Sequence, residues 1–317
     1  MAEITQEWKP LVISLGEVLW DMLPEGKTAG GAPVNFIYHA MQDGVDGYSV
    51  SALGNDQLGS ELEETVRKAG IPYYFERNDY PTGTAGIMAG DDDTFSYSIT
   101  EGAAWDHLRE TDEVQKIISR ADGITYGTLA LRSPESRQTI LNLIDDAPTS
   151  CLRFFDVNLR GDYYDRDLID QLLRLSTHFK MNQSEFAFLK SLLGMEEANE
   201  DGMDDEEACA WFFRHYPNLR MIAMTAGRSY SLVMSADGRA SRIRTPHVNA
   251  LNSVGAGDVF SGVLAAEILR GAPMEEGHQK AVNVAAYVCT QRENWTPLPD
   301  SIPDYVTWQH LRETTVG

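Results

Sequence analysis

The sequence predicts an α/β protein: a doubly wound, mostly parallel sheet with helices on both faces, plus a small β lid. Three observations carry that expectation. Short apolar runs ending in turn residues recur along the chain, helix-length segments separate them, and two stretches rich in Gly, Thr and Tyr break the rhythm. Strands that alternate with helices in this way build parallel βαβ units covered on both faces. With 43% hydrophobic and 23% charged residues, the 317-residue chain can bury a large core and is not a disordered polymer.

The first strand is the apolar run Leu11–Leu15, which stops at Gly16. Residues 17–30 follow as the first part of the lid. Helices are expected at 58–69, 111–120, 134–145, 165–175, 184–193 and 205–214, and further strands at 124–126, 152–156 and 221–225. The second lid segment, about 72–99, alternates apolar positions on either side of the turn-forming Gly90-Asp-Asp-Asp93. The expected division is a core of residues 1–16, 32–70 and 105–317 and a lid of 17–31 and 71–104. Ligands of open α/β sheets sit at the carboxyl edges of the strands, and a lid there covers them. Residues 196–207 hold eight acids and read as a solvated loop running into a helix that starts near Asp204.

Charge narrows the function. The 48 acidic residues outnumber 26 basic ones, of which only 7 are Lys, for a net charge of −22. Such a surface repels nucleic-acid phosphates and anionic membranes, so neither is an expected partner. The amino-terminal residues lack the basic and apolar regions of a signal peptide, and no run of about 18 apolar residues occurs, so a cytoplasmic location is expected. Cys151, Cys209 and Cys289 and the scattered His residues match neither a disulfide framework nor a zinc site.

The stretch most informative about chemistry is Asn252-Ser-Val-Gly255-Ala256-Gly257-Asp258-Val-Phe260. Two glycines open a tight turn, and Phe260, Val263, Leu264 and Ile268 then share a helical face that stops at Gly271. Exposed N–H groups at the helix start suit a phosphoryl group in transfer, and Asp258 is placed to accept a proton from an attacking hydroxyl. Together these roles describe phosphoryl transfer to an alcohol. On spacing alone, the glycines serve equally for close helix packing, and Asp258 for favouring the positive helix end.

This stretch resembles the second signature of the pfkB (ribokinase-like) sugar kinases, and Gly30-Gly31-Ala-Pro-Val-Asn35 resembles their first. Matching segments fill the interval in the family's order, among them Gly16-Glu-Val-Leu-Trp-Asp21, Glu101-Gly-Ala-Ala-Trp105, Asp156-Val-Asn-Leu-Arg160, Asn182-Gln-Ser-Glu185 and Thr225-Ala-Gly227. Three of them resemble the bacterial fructokinase branch most. The resemblance implies an ATP- and Mg²⁺-dependent kinase that phosphorylates a small sugar, with fructose 6-phosphate as product and a homodimer formed through the lid. A kinase for 2-keto-3-deoxygluconate or another ketose, and a catalytically silent sugar-binding relative, are the alternatives.

The resemblance also assigns roles. Asp258 becomes the base and Gly255, Ala256 and Gly257 the anion site. Asp21, Gly30, Gly31, Asn35, Asn158 and Arg160 fall to the sugar, and Asn182, Thr225, Gly227 and Asn283 to ATP. Glu185 falls to Mg²⁺ through water, which that ion retains readily. Asn182 followed by Glu185 also reads as a helix cap with its capping box. Three residues depart from the family pattern. Asn252 replaces an Asp linked to a monovalent cation, Tyr230 replaces a Gly near the nucleotide, and Trp295 replaces a small residue. Arg132 is the one motif residue available to pair a carboxylate on the alternative substrate.

Overall fold

The computed structural model describes residues 8–24, 26–89, 95–195, 203–307 and 309. The expected turn at 90–93 and most of the acidic loop at 196–202 lie outside them. Among the described residues, nine strands form the main sheet in the order β13-β12-β11-β10-β9-β8-β1-β4-β5. β1 (Leu11–Leu15), β4 (Asp46–Gly54), β5 (Tyr73–Asn78), β8 (Gly123–Tyr126), β9 (Leu152–Asp156), β10 (His178–Asn182) and β11 (Met221–Thr225) all run parallel. β12 (Tyr230–Ser235) and β13 (Ala240–Arg244) complete the sheet as an antiparallel edge.

Alternation along each strand divides the core in two. Ile13, Leu15, Phe155, Ile222 and Met224 point to the face covered by α3 (Asp112–Ile118), α4 (Pro134–Asp146), α5 (Arg166–Leu175) and α7 (Asp205–His215). Val12 and Phe154 point to the other face, with α1 (Ala32–Gln42), α2 (Gln57–Lys68) and α8 (Ala256–Leu269). Ala223 and Val233 meet α8 and α9 (Met274–Cys289) on that same face. Successive strand side chains point to opposite faces, so two apolar layers require this near-continuous apolar pattern.

A second sheet has the order β3-β2-β6-β7, with β2 (Leu19–Leu23), β3 (Gly26–Gly30), β6 (Thr84–Ala89) and β7 (Phe95–Ile99). It draws on both expected lid segments, but their boundary needs correction. Tyr73–Asn78 lies within the expected lid, yet it pairs with β4 from Ser49↔Tyr73 to Gly54↔Asn78 and is an edge strand of the main sheet. Its composition suits either sheet, and the pairing with β4 is a long-range choice that local pattern does not encode. Among the described residues, no helix is long and apolar enough to cross a membrane.

One helix contact sets the geometry of the carboxyl edge. α1 crosses α8 at Gly262, where an added Cβ would lie 2.4 Å from the backbone oxygen of Phe36. Both helices carry predicted site residues, Asn35 on α1 and Asp258 on α8. Gly262→Ala is expected to lower stability by about 1–3 kcal/mol through overpacking, read as a lower urea midpoint at unchanged slope. An unchanged midpoint would mean that the two helices part without strain.

Candidate active site

A cleft of about 220 Å³ opens at the carboxyl ends of β1, β9 and β10, between the main sheet and the small one. Its lining includes Asp21, Gly31, Asn35, Asn158, Arg160, Asn182, Glu185, Gly255, Ala256, Gly257 and Asp258. Residues spread over more than 200 positions of sequence thus converge on one space. Leu19 and Asp21 reach it from β2, two positions apart and therefore on one face of the small sheet. At Gly30 an added Cβ would meet the Asp21 carboxylate at 2.3 Å, so the missing side chain makes room for that acid. Asn158 follows β9 with φ +39 and is the only non-Gly residue in the left-handed region among the described residues, a conformation that Asn tolerates.

The helix start matches its sequence reading. Gly255 caps α8 at φ +79, and Asp258 lies in the first turn. The Asp258 carboxylate accepts the Asn35 amide N–H at 2.9 Å. Burial, and after it the charge of Asp156, pushes Asp258 up to about 7, against the pull of Asn35, Lys180 and Arg160. A carboxyl held there is divided between its forms near neutral pH, as suits a general base. Burial lifts Asp21 to about 6 and Glu17 to about 7, while Arg160 opposes both shifts.

Lys180, Asp156 and Glu17 escaped nomination from sequence. Lys180 is buried in β10, its Nζ 3.0 Å from Asp156 Oδ1 and 3.2 Å from where a Cβ on Gly257 would stand. Asp156 takes the Ser261 hydroxyl on its other oxygen at 2.9 Å. Burial disfavours the ammonium, but Asp156, Glu185 and Asp258 more than compensate and keep it charged. A Lys inside a strand covered on both faces was the available signal, because burying a charge costs several kcal/mol unless a partner is built in.

Asn182 and Glu185 form the capping box of α6 (Gln183–Leu192) and also line the cleft. Glu185 accepts the backbone N–H of Asn182 at 2.7 Å and of Leu159 at 3.2 Å, one on each oxygen. Among the described residues, no three His, Cys, Asp or Glu side chains converge to hold a metal ion directly. A hydrated divalent ion that contacts protein through water fits Glu185, and one that demands several protein ligands does not.

Thr225, Gly227, Gly30 and Asn283 are outside the lining. Thr225 pairs with Asn182 across β10 and β11, one strand away on the same sheet edge, and Gly227 turns the chain toward β12 at φ +52. Both ends of the Asn283 amide are engaged, with Asp304 at 3.1 Å and the Val306 N–H at 3.0 Å. Tyr230 has its hydroxyl between Gln183 and Asp205, and Arg132 makes a two-pronged ion pair with Asp106 at 2.7–2.8 Å.

A helix start with a left-handed Gly cap, a buried carboxylate beside it and a polar cleft under a small sheet have the make-up that phosphoryl transfer to a hydroxyl requires. Residues 24–301 match the pfkB family carbohydrate kinases. The chain belongs to that family, whose members phosphorylate sugar hydroxyls. It is 24% identical to a fructokinase of Klebsiella pneumoniae over 277 residues, covering 82% of this chain and 85% of that one. Over 310 residues it is also 24% identical to a fructokinase of Solanum tuberosum, covering 92% of each. The fold matches that of the ATP-bound fructokinase of Xylella fastidiosa, with a TM-score of 0.77 at 19% identity over 97% of this chain and 100% of that one.

The raised Asp258 value has a consequence for stability. Its carboxyl binds a proton more tightly in the folded protein than the ordinary value near 4 allows, so its contribution is fully present at acid pH. That contribution is lost as pH rises toward about 7. Asp258→Asn should therefore leave Tm nearly unchanged at pH 4.5 and raise it by a few degrees at pH 8. A lower Tm for the variant at pH 8 would contradict the assignment of burial as the dominant effect.

Proposed function

We propose that the protein is an ATP-dependent kinase that converts fructose to fructose 6-phosphate, with Asp258 as the base. The observation that carries this reading is the contact of Asp258 with Asn35 at the first turn of α8, inside the cleft that also holds Asp21, Asn158 and Arg160. In this reading Asp21 and Asn158 receive the sugar hydroxyls, and Arg160 meets the phosphoryl charge. The Asn35 amide oxygen already takes the Trp295 N–H at 2.8 Å, which leaves one lone pair for the sugar. Asp258 takes the proton of the 6-hydroxyl while the N–H groups at Gly255–Gly257 and the Lys180 ammonium receive the transferred charge.

Asn182, Thr225, Gly227 and Asn283 are assigned to the nucleotide side. Mg²⁺, when bound with ATP, supplies charge neutralisation on the phosphates, and Glu185 holds its water. The small sheet closes over the sugar and limits transfer to water. Two findings favour fructose. The relatives from Klebsiella pneumoniae and Solanum tuberosum, which match along most of the chain, bear the name fructokinase, and Arg132, the one candidate partner for the carboxylate of 2-keto-3-deoxygluconate, is already neutralised by Asp106. The same reading places the enzyme in the cytoplasm as a homodimer through the small sheet, whose edge strands β3 and β7 offer backbone groups for pairing.

Two measurements test it. Asp258→Asn is expected to lower kcat by at least about 10² with the sugar KM within a few fold, and near-normal turnover would remove Asp258 as the base. In a panel of fructose, tagatose, ribose, 2-keto-3-deoxygluconate and nucleosides, fructose is expected to give the highest kcat/KM. A higher value for the sugar acid would transfer the assignment to that substrate.

A further inference from the structure

We propose that Trp295 is a positioning residue for Asp258, acting through Asn35: its indole N–H commits the Asn35 amide to donate to the carboxylate. The inference rests on the reading of Asp258 as the base. Trp295 Nε1 lies 2.8 Å from Asn35 Oδ1, and Asn35 Nδ2 lies 2.9 Å from Asp258 Oδ2. The direction of this chain is forced by chemistry. An indole nitrogen donates and never accepts, so the amide must turn its oxygen to Trp295 and its NH2 group to Asp258. An NH2 group facing a carboxyl can only donate, which favours the ionised form. With the amide reversed, its oxygen would face Asp258 and favour the protonated form, which cannot take a proton from a sugar.

Trp295 is itself held. Its ring stacks on Tyr38 of α1 at 5.9 Å. The preceding residue, Asn294, is buried, with its carbonyl oxygen 2.9 Å from His39 Nε2 and its amide oxygen taking Asn252 Nδ2 at 2.9 Å. Asn252 in turn accepts the Val254 N–H at 2.9 Å, in the loop that leads to Gly255. Two of the three departures from the family pattern, Asn252 and Trp295, thus join one scaffold around the base. The charges facing Asp258 come from other elements: Asp156 on β9, Lys180 on β10, Glu17 after β1 and Arg160 after β9. The Trp295–Asn35 arm approaches through neutral groups.

The test is the titration of the Asp258 carboxyl, followed by ¹³C NMR in protein labelled at aspartate and assigned by loss of the signal in Asp258→Asn. Trp295→Phe keeps the ring on Tyr38 and removes only the donor. It should move the midpoint upward by about one pH unit, and kcat at pH 6 should then fall about tenfold while kcat at pH 9 and the KM for ATP stay within about twofold. Asn35→Ala should move the midpoint in the same direction, and adding Trp295→Phe to it should move it no further. An unmoved midpoint in Trp295→Phe, or an equal kcat loss at every pH, would overturn the proposal. So would a further shift in the Asn35→Ala background. Full turnover in Asp258→Asn would instead overturn the reading of Asp258 as the base, and the NMR titration would still judge the Trp295 link on its own.

Discussion

The arrangement of the cleft depends on one buried carboxylate. Asp258 is held at the start of α8, where Asp156 and desolvation drive it toward its protonated form and Asn35, Lys180 and Arg160 draw it back. The left-handed Gly255 starts the helix at that point, and Gly262 lets α1 come close enough to place Asn35 against the acid. Lys180 faces three acids, Asp156, Glu185 and Asp258, from inside the buried strand β10. If any of these supports is removed, the balance tilts toward a neutral carboxyl that cannot accept a proton.

The same balance accounts for the cleft's charge. Asp21, Glu17, Asp156, Glu185 and Asp258 face Lys180 and Arg160, in a chain whose net charge is already −22. A polyanionic nucleotide gains little from such surroundings at long range. In the proposed function it is received locally, by a helix start, one ammonium, one guanidinium and a divalent ion on the phosphates themselves. The low Lys count is consistent with that: the cleft uses one buried Lys held in place rather than several mobile ones.

Much of the fold and part of the site were legible in the sequence, for identifiable reasons. The apolar runs at Leu11–Leu15 and Leu152–Asp156 could hardly be anything but strands buried on both faces, and the Gly255–Asp258 turn announces a helix start and an acid together. Tyr73–Asn78 was misplaced because a strand's own residues do not name its partner, which lies some two dozen positions earlier in β4. Lys180 was overlooked since its meaning rests on Asp156, which sits on another strand. The capping box at Asn182 and the cleft position of Glu185 occur together, so the cap does not compete with a place in the cleft. In the sequence Trp295 reads only as a departure from the family pattern, a large residue in place of a small one. Its proposed role depends on a contact with Asn35 across 260 positions that no local pattern records.

The surroundings of Asp258 poise it near neutrality, and in the proposed reaction it acts as the base in that state. The pH dependence of kcat/KM for fructose, measured at saturating Mg²⁺ and ATP, tests it most directly because the acid limb reports the free enzyme's essential base. Activity is expected to rise through an acid limb near pH 7, the value to which burial and Asp156 lift Asp258. An acid limb near pH 4, the range of an ordinary exposed carboxylate, would contradict it.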